Sequence, residues 1–346
     1  LGAMQSEDLA ALTTAQIRAL ETRDLVALDS ADLAVLSSTQ VMALGSAQIR
    51  ALETADLAGL STENLAAMGT AQVTALTSSQ IAALHSDQLQ ALTTTQLAAL
   101  GSAQLAALTS DDLNTLSAAQ LAALSTSRLA ALTSGQINAM GTDDLLALTT
   151  AQVRGLTTSQ LAAMDTETLN VLSTAQFAAL SSGQLSALTS HQVASMESAD
   201  LAVLSTGQLR GISAAAFGAM GSGDLAVLST AQLRSLTSTQ LRAIDTAEID
   251  GITTAALSQL TSTQVGLLTT AQLGALLTDQ LQSLTTGQLR GMTSAQIAAL
   301  GTDDFNALTS DQIRSLSSSQ IAGMTSTQLG AMQSEDLAAL TTAQIR

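Results

Sequence analysis

The 346 residues include no cysteine, proline, tryptophan, tyrosine or lysine, and the aromatics are limited to Phe177, Phe217 and Phe305. Ordinary enzymes and globular domains rarely do without all five of the missing types. No cysteine means no disulfide framework, no thiolate metal site and no thiol nucleophile. No lysine leaves eleven arginines against 28 acids, a net charge of −17. Nucleic acid and anionic membrane both want basic surface, so neither is expected as a partner. Apolar runs stay far short of the 18 residues a membrane span requires, so no membrane insertion is expected. The two histidines, His85 and His191, are over a hundred residues apart. There is no Cys/His metal spacing, phosphate loop or credible Ser–His–acid set, so the chain does not read as an enzyme.

What is present is one motif copied without a break. From Leu1 to Ile345 every eighth residue is Leu, Ile, Val or Phe, 44 times. Three residues further on stands Leu, Met or Ile, as at Met4, Leu12 and Leu340. By octad position the consensus is L-x-A-L-[ST]-[ST]-x-[QD]. Residues 1–18, LGAMQSEDLAALTTAQIR, recur as 329–346, a displacement of 328 residues or 41 octads. The expectation is a single continuous array over 1–346, cut as a window from a longer chain.

Spacings of three and then five between large apolar residues do not suit a strand, whose side chains alternate with period two. They do not suit one long helix either, because eight residues overshoot two α-helical turns by about 80°. They predict one very short helix per octad. Ser/Thr at position 6 is expected as its N-cap, with Thr14, Ser110, Thr150 and Ser326 as examples. Position 8, Gln or Asp, is then N2, where a carboxylate favours the helix dipole. A T-x-x-Q capping box from position 5 to position 8 is also open to the sequence. Where position 6 is alanine, at Ala118 and Ala214, Ser117 and Ser213 could cap one residue earlier. Helices this short are not stable alone. Positions 1 and 4 must therefore be core, as at Leu9, Leu12, Leu108, Phe177 and Leu340, and small residues at position 3 must let backbones approach.

Position 5 departs from Ser/Thr every three or four octads from residue 137 on: Gly141, Asp165, Glu197, Gly221, Asp245, Leu277, Gly301 and Gln333. Nine arginines sit at position 2: Arg18, Arg50, Arg154, Arg210, Arg234, Arg242, Arg290, Arg314 and Arg346. The fold expected is an all-α superhelical solenoid with about 3.4 octads, roughly 27 residues, per turn. Arg154, Arg210, Arg234, Arg242, Arg290 and Arg314, with Asp165, Glu197 and Asp245, then form a one-sided stripe. It would serve lateral contact with another copy or internal ion pairing. No cofactor is expected. Calcium is the one cation the acids could hold, although their spacing is not an EF-hand loop.

LAALTTAQ (9–16), VRGLTTSQ (153–160), VGLLTTAQ (265–272) and LQALTTTQ (89–96) resemble the L-x-x-L-[ST]-[ST]-x-Q arrays of very large secreted or surface-exposed, adhesin-like bacterial proteins. The resemblance covers the whole chain and brings no catalytic residue with it. It implies an extracellular, cell-surface location. The role it implies is a structural fibre segment associating with copies of itself, end to end or laterally. The alternative is the rigid extender of a secreted, calcium-dependent adhesin.

Overall fold

The computed structural model describes residues 5–345. Among these, every element is a helix of three to six residues, one per octad, and there is no strand. Two of the helices, Asp56–Gly59 and Ile249–Gly251, are 3-10 rather than α. The described chain forms two compact units, 1–172 and 173–346. Each is an all-α solenoid in which a helix packs on the one three octads later. Arg346, one of the position-2 arginines, lies outside the described residues, as do Leu1 and Met4.

The repeated sequence explains each helix. In Ser78–Ala82, Thr77 is the extended N-cap, with φ −71° and ψ 162°. Its hydroxyl accepts from the Gln80 N–H at 3.2 Å, and Gln80 Oε1 accepts from the Thr77 N–H at 2.8 Å. This is the reciprocal capping box, and it recurs through both units. The helix closes when the position-4 N–H donates back to the position-1 carbonyl, as Leu84 does to Ile81 at 3.2 Å.

The cap therefore lies at position 5, not position 6. Thr14, Ser110, Thr150 and Ser326 are the first helical residues, and the caps are Thr13, Thr109, Thr149 and Thr325. The reason is geometric: a capping oxygen bonds best to the N–H three residues on, and the residue there must reach back. Gln or Asp at position 8 does so only from position 5. Position 6 has a different use. Its hydroxyl donates to the next turn, as Ser78 Oγ does to the Ala103 carbonyl at 3.1 Å and Ser294 Oγ to the Ser319 carbonyl at 2.9 Å.

Position-1 side chains from Leu9 to Ile321 are buried, and so are position-4 side chains from Leu28 to Met332. Leu9, Leu108 and Phe177 are thus core, whereas Leu12 and Leu340 are only half-buried. Leu12 and Leu20 are position-4 residues in the first described turn; Leu329, Leu337 and Ile345 are position-1 residues in the last, and are exposed. Position 4 thus packs against the preceding turn and position 1 beneath the following one. A residue in a terminal described turn keeps only one of these covers. Between turns the backbones come close. A Cβ on Gly59 would meet the Ser30 carbonyl, and one on Gly251 the Ser222 carbonyl.

Candidate functional site

The recurring polar site of this fold is the glutamine at position 8. Helices of five or six residues leave nearly all their terminal carbonyls without an internal partner. Glutamine carries both an acceptor and two donors, and the fold uses both ends. While Gln80 Oε1 holds its own N-cap, Gln80 Nε2 donates to the Ile49 carbonyl at 2.9 Å and the Leu52 carbonyl at 2.8 Å, 31 and 28 residues back. Gln152 repeats this with Leu121 and Leu124, and Gln288 with Leu257 and Leu260. One amide thereby caps the start of its helix and the end of a helix one turn earlier. Most of these glutamines are buried, Gln80 and Gln240 to 1 % exposure.

Other residues at position 8 do part of the job. Asn64 Nδ2 reaches the Leu36 carbonyl at 2.9 Å, but its helix has no capping box. Arg128 donates from Nε to the Leu100 carbonyl. Asp112 accepts from its cap N–H at 2.8 Å and has no proton to give the preceding turn. The sequence signal for this role was present: position 8 prefers Gln where the dipole alone would be served as well by Glu.

Direct hydrogen bonds between turns span 25 to 31 residues, which brackets a turn of about 27. The position-2 arginines are used in the same way. Nε of Arg50, Arg242, Arg290 and Arg314 donates to the carbonyl of Ala75, Leu267, Ser315 and Ala339, each 25 residues ahead.

The expected stripe divides. Arg154, Arg210, Arg234, Arg242, Arg290 and Arg314 are all exposed, as are Asp165, Glu197 and Asp245. The structure pairs none of these arginines with any of these three acids. Only two ion pairs occur among the described residues: Arg23 with Glu21 at 2.9 Å and Arg314 with Asp311 at 3.6 Å. Asp165 is occupied by the fold. Its carboxylate accepts from the Thr168 N–H at 2.8 Å and from Asn138 Nδ2 at 3.2 Å. Hydrogen bonds from Thr168, through its N–H and then its hydroxyl, hold its carboxyl below the usual range against the opposing effect of burial, and Asn138 adds to them. Asp245 Oδ1 accepts from the Ala247 N–H, and Glu197 stands at an N-cap without bonding through its side chain.

Several position-8 acids are crowded instead. Burial, reinforced by Glu197, pushes Asp200 up to about 6. Burial raises Asp224, Gly221 N–H opposes it, and Glu248 one turn on adds to the rise. Asp56 is raised by burial and then by Glu53, Asp29 and Asp32. No group of three or more metal-ligating side chains is found among the described residues, and no helix there is long and apolar enough to cross a membrane. His85 and His191 are exposed and far apart in sequence.

Comparison with known families matches the octads directly. The model of the ALTTAQ repeat matches residues 1–30, 17–54, 49–86, 81–114, 107–142, 137–170, 162–196, 193–223, 217–253, 275–310 and 297–334. The string itself stands at 11–16, 147–152 and 339–344. No curated protein matches the chain.

Proposed function

Because the chain belongs to the ALTTAQ repeat family, we propose that it is a segment of an extracellular bacterial fibre, a structural array at the cell surface. The observation that carries this reading is the uniformity of the glutamine tie. Within each unit the tie recurs, joining Gln40 to the Leu9 and Leu12 carbonyls, Gln152 to those of Leu121 and Leu124, Gln240 to those of Leu209 and Ile212, and Gln320 to those of Leu289 and Met292. The hydrogen bonding of the repeat joins a turn to its neighbours. Family and chemistry fit a non-enzymatic structural repeat protein. A bacterial surface location is the family resemblance carried into this proposal, and a chain needing no disulfides is compatible with it.

Electron microscopy of the purified native protein, with and without a calcium chelator, tests the reading. Thin filaments of uniform width, indifferent to chelator, support a fibre segment. Short monodisperse rods that soften on chelation would replace it with the rigid extender of a calcium-dependent adhesin.

A further inference from the structure

The charges of this chain are sorted by side. In the unit 173–346 the acids come in groups: Glu197 and Asp200; Asp224; Asp245, Glu248 and Asp250; Asp279; Asp303 and Asp304; Glu335 and Asp336. Successive groups are about one turn of roughly 27 residues apart. Contacts in the fold stack their helices: Ser198–Val203 packs on Ser222–Val227, which packs on Ile249–Gly251. The Ser222 N–H donates to Glu248 Oε2 at 2.6 Å. Gln280 and Gln282 extend the column, through the Ile252 carbonyl behind and the Ala307 carbonyl ahead.

The arginines fall between these groups in sequence. Arg210, Arg234, Arg290 and Arg314 each follow an acidic group by 10 or 11 residues, roughly two-fifths of a turn, while Arg242 follows Asp224 by 18 and precedes Asp245 by three. Their helices stack in two runs, the first of which leads on through Thr254–Gln259 to Thr278–Ser283. Thr206–Leu209 packs on Thr230–Ser235, and Ser238–Ala243, Ser262–Leu267, Thr286–Gly291 and Ser310–Ser315 follow one on another. Asp311 is the one acid on the arginine-bearing helices of these runs. The same order holds over 111–165, where Arg128 and Arg154 alternate with Asp111 and Asp112, Asp143 and Asp144, and Asp165, whereas Arg18, Arg23 and Arg50 stand within three residues of Glu21, Asp24 and Glu53.

Position alone does not impose this sorting. An acid at position 7 and an arginine at position 2 are three residues apart on one helix, as Asp311 and Arg314 are, yet the chain almost never places them together. Arg314 pairs with Asp311 at 3.6 Å, and Arg210, Arg234, Arg242 and Arg290 make no ion pair among the described residues. Fixing Nε of Arg290 and Arg314 to a carbonyl leaves their terminal nitrogens at an open groove lined by Thr286, Arg290, Asp311, Arg314 and Ser315.

We propose that the arginine face of one copy docks laterally on the acidic face of a second copy of this chain. This rests on the structural-array reading above and says how arrays associate. The occupant follows from periodicity as well as sign, since the acidic face repeats with the same turn length as the arginine face. An arginine row and an acid row of two copies therefore stay in step, turn after turn. Because the two patches differ and lie roughly two-fifths of a turn apart, the contact is heterologous and open, and adds copies side by side. Whole-body repulsion between two chains of charge −17 opposes it. At about 0.1 M salt the Debye length is near 10 Å, which screens that repulsion more than pairs in contact.

The test is sedimentation of the native chain at about 0.1 M and about 1 M salt, beside Arg210→Glu/Arg234→Glu and Asp279→Lys/Asp303→Lys. These four side chains are exposed and make no hydrogen bond or ion pair in the fold. Association at the lower salt, lost at the higher, is expected. Each double variant alone should associate at least about tenfold more weakly, and an equimolar mixture should recover. Thermal melting by circular dichroism shows whether a variant is folded. A folded arginine variant that associates like the native chain overturns the proposal. So does native protein that stays monomeric at both salts while binding an anionic polysaccharide through these arginines. In either case melting that remains native leaves the structural-array reading standing.

Discussion

Gln80→Glu changes one –NH2 into an oxygen and keeps the shape. It therefore isolates the tie between turns. Gln80 is buried, and its amide makes three contacts: Oε1 with the Thr77 N–H, and Nε2 with the Ile49 and Leu52 carbonyls. Glutamate retains the first. At neutral pH it places a carboxylate oxygen against two carbonyl oxygens. The Ile49 carbonyl still accepts from the Leu52 N–H, but the Leu52 carbonyl loses its donor. Two net hydrogen bonds at about 1 kcal/mol each, and an orphaned buried acceptor at about 1–3 kcal/mol, give a loss of about 3–5 kcal/mol at pH 7. The introduced carboxyl titrates above the usual value of about 4.3, because burial and the facing carbonyls disfavour its charge. A raised folded-state value means that the charge-dependent part of the penalty is absent below the unfolded value, grows as pH rises between the two values and levels off above the folded one. Melting by circular dichroism or urea at pH 4 and pH 7 reads this out. The control is Gln90→Glu, at an exposed position 2, which should stay within about 0.5 kcal/mol of the native protein. A Gln80→Glu protein as stable as native at pH 7, or equally destabilised at both pH values, would refute the reasoning.

Leu108→Ala empties a core position of 3 % exposure and should cost about 2–5 kcal/mol in a urea melt; a loss below 1 kcal/mol would mean that position 4 is not core. Gly251→Ala places a Cβ against the Ser222 carbonyl and should lower stability by about 1–3 kcal/mol, whereas Gly207→Ala, with open space around it, should not. Asp200, raised to about 6 in the fold against an ordinary value of about 3.9, makes stability fall as pH rises between those values and level off above. Asp200→Asn should flatten that part of the pH–stability curve, and an unchanged slope would show that other acids set it.

Much of the architecture was legible because apolar spacing is a strong signal. Leu, Ile, Val or Phe at every eighth residue with a partner three further on gave one short helix per octad, and the beat at position 5 gave between three and four octads per turn. The cap was misplaced by one residue because positions 5 and 6 are both usually Ser or Thr, so composition alone could not separate them. Ser117 and Ser213 could have: each precedes an alanine at position 6, and each caps its helix, accepting from Gln120 and Ala216. The tie between turns was hidden for another reason. Reading Gln as interchangeable with Asp attends to the acceptor and ignores the donor, and only the folded chain shows carbonyls 28 and 31 residues back within reach. Ion pairing along the stripe could not be read from sequence: even Arg242 and Asp245, three residues apart, do not pair, because Arg242 Nε donates to the Leu267 carbonyl and Asp245 accepts from the Ala247 N–H.

The most direct test of the stacked-turn account uses the lack of cysteine. Spin labels on Ala66→Cys and Gln90→Cys, both exposed and on the packed helices Thr62–Ala67 and Ser86–Ala91, report the distance between adjacent turns. Stacked helices lie about 8–10 Å apart, so strong dipolar broadening is expected in the electron paramagnetic resonance spectrum. If the 24 residues between the labels instead ran on as one helix, they would stand about 36 Å apart. An unbroadened spectrum would then contradict the account.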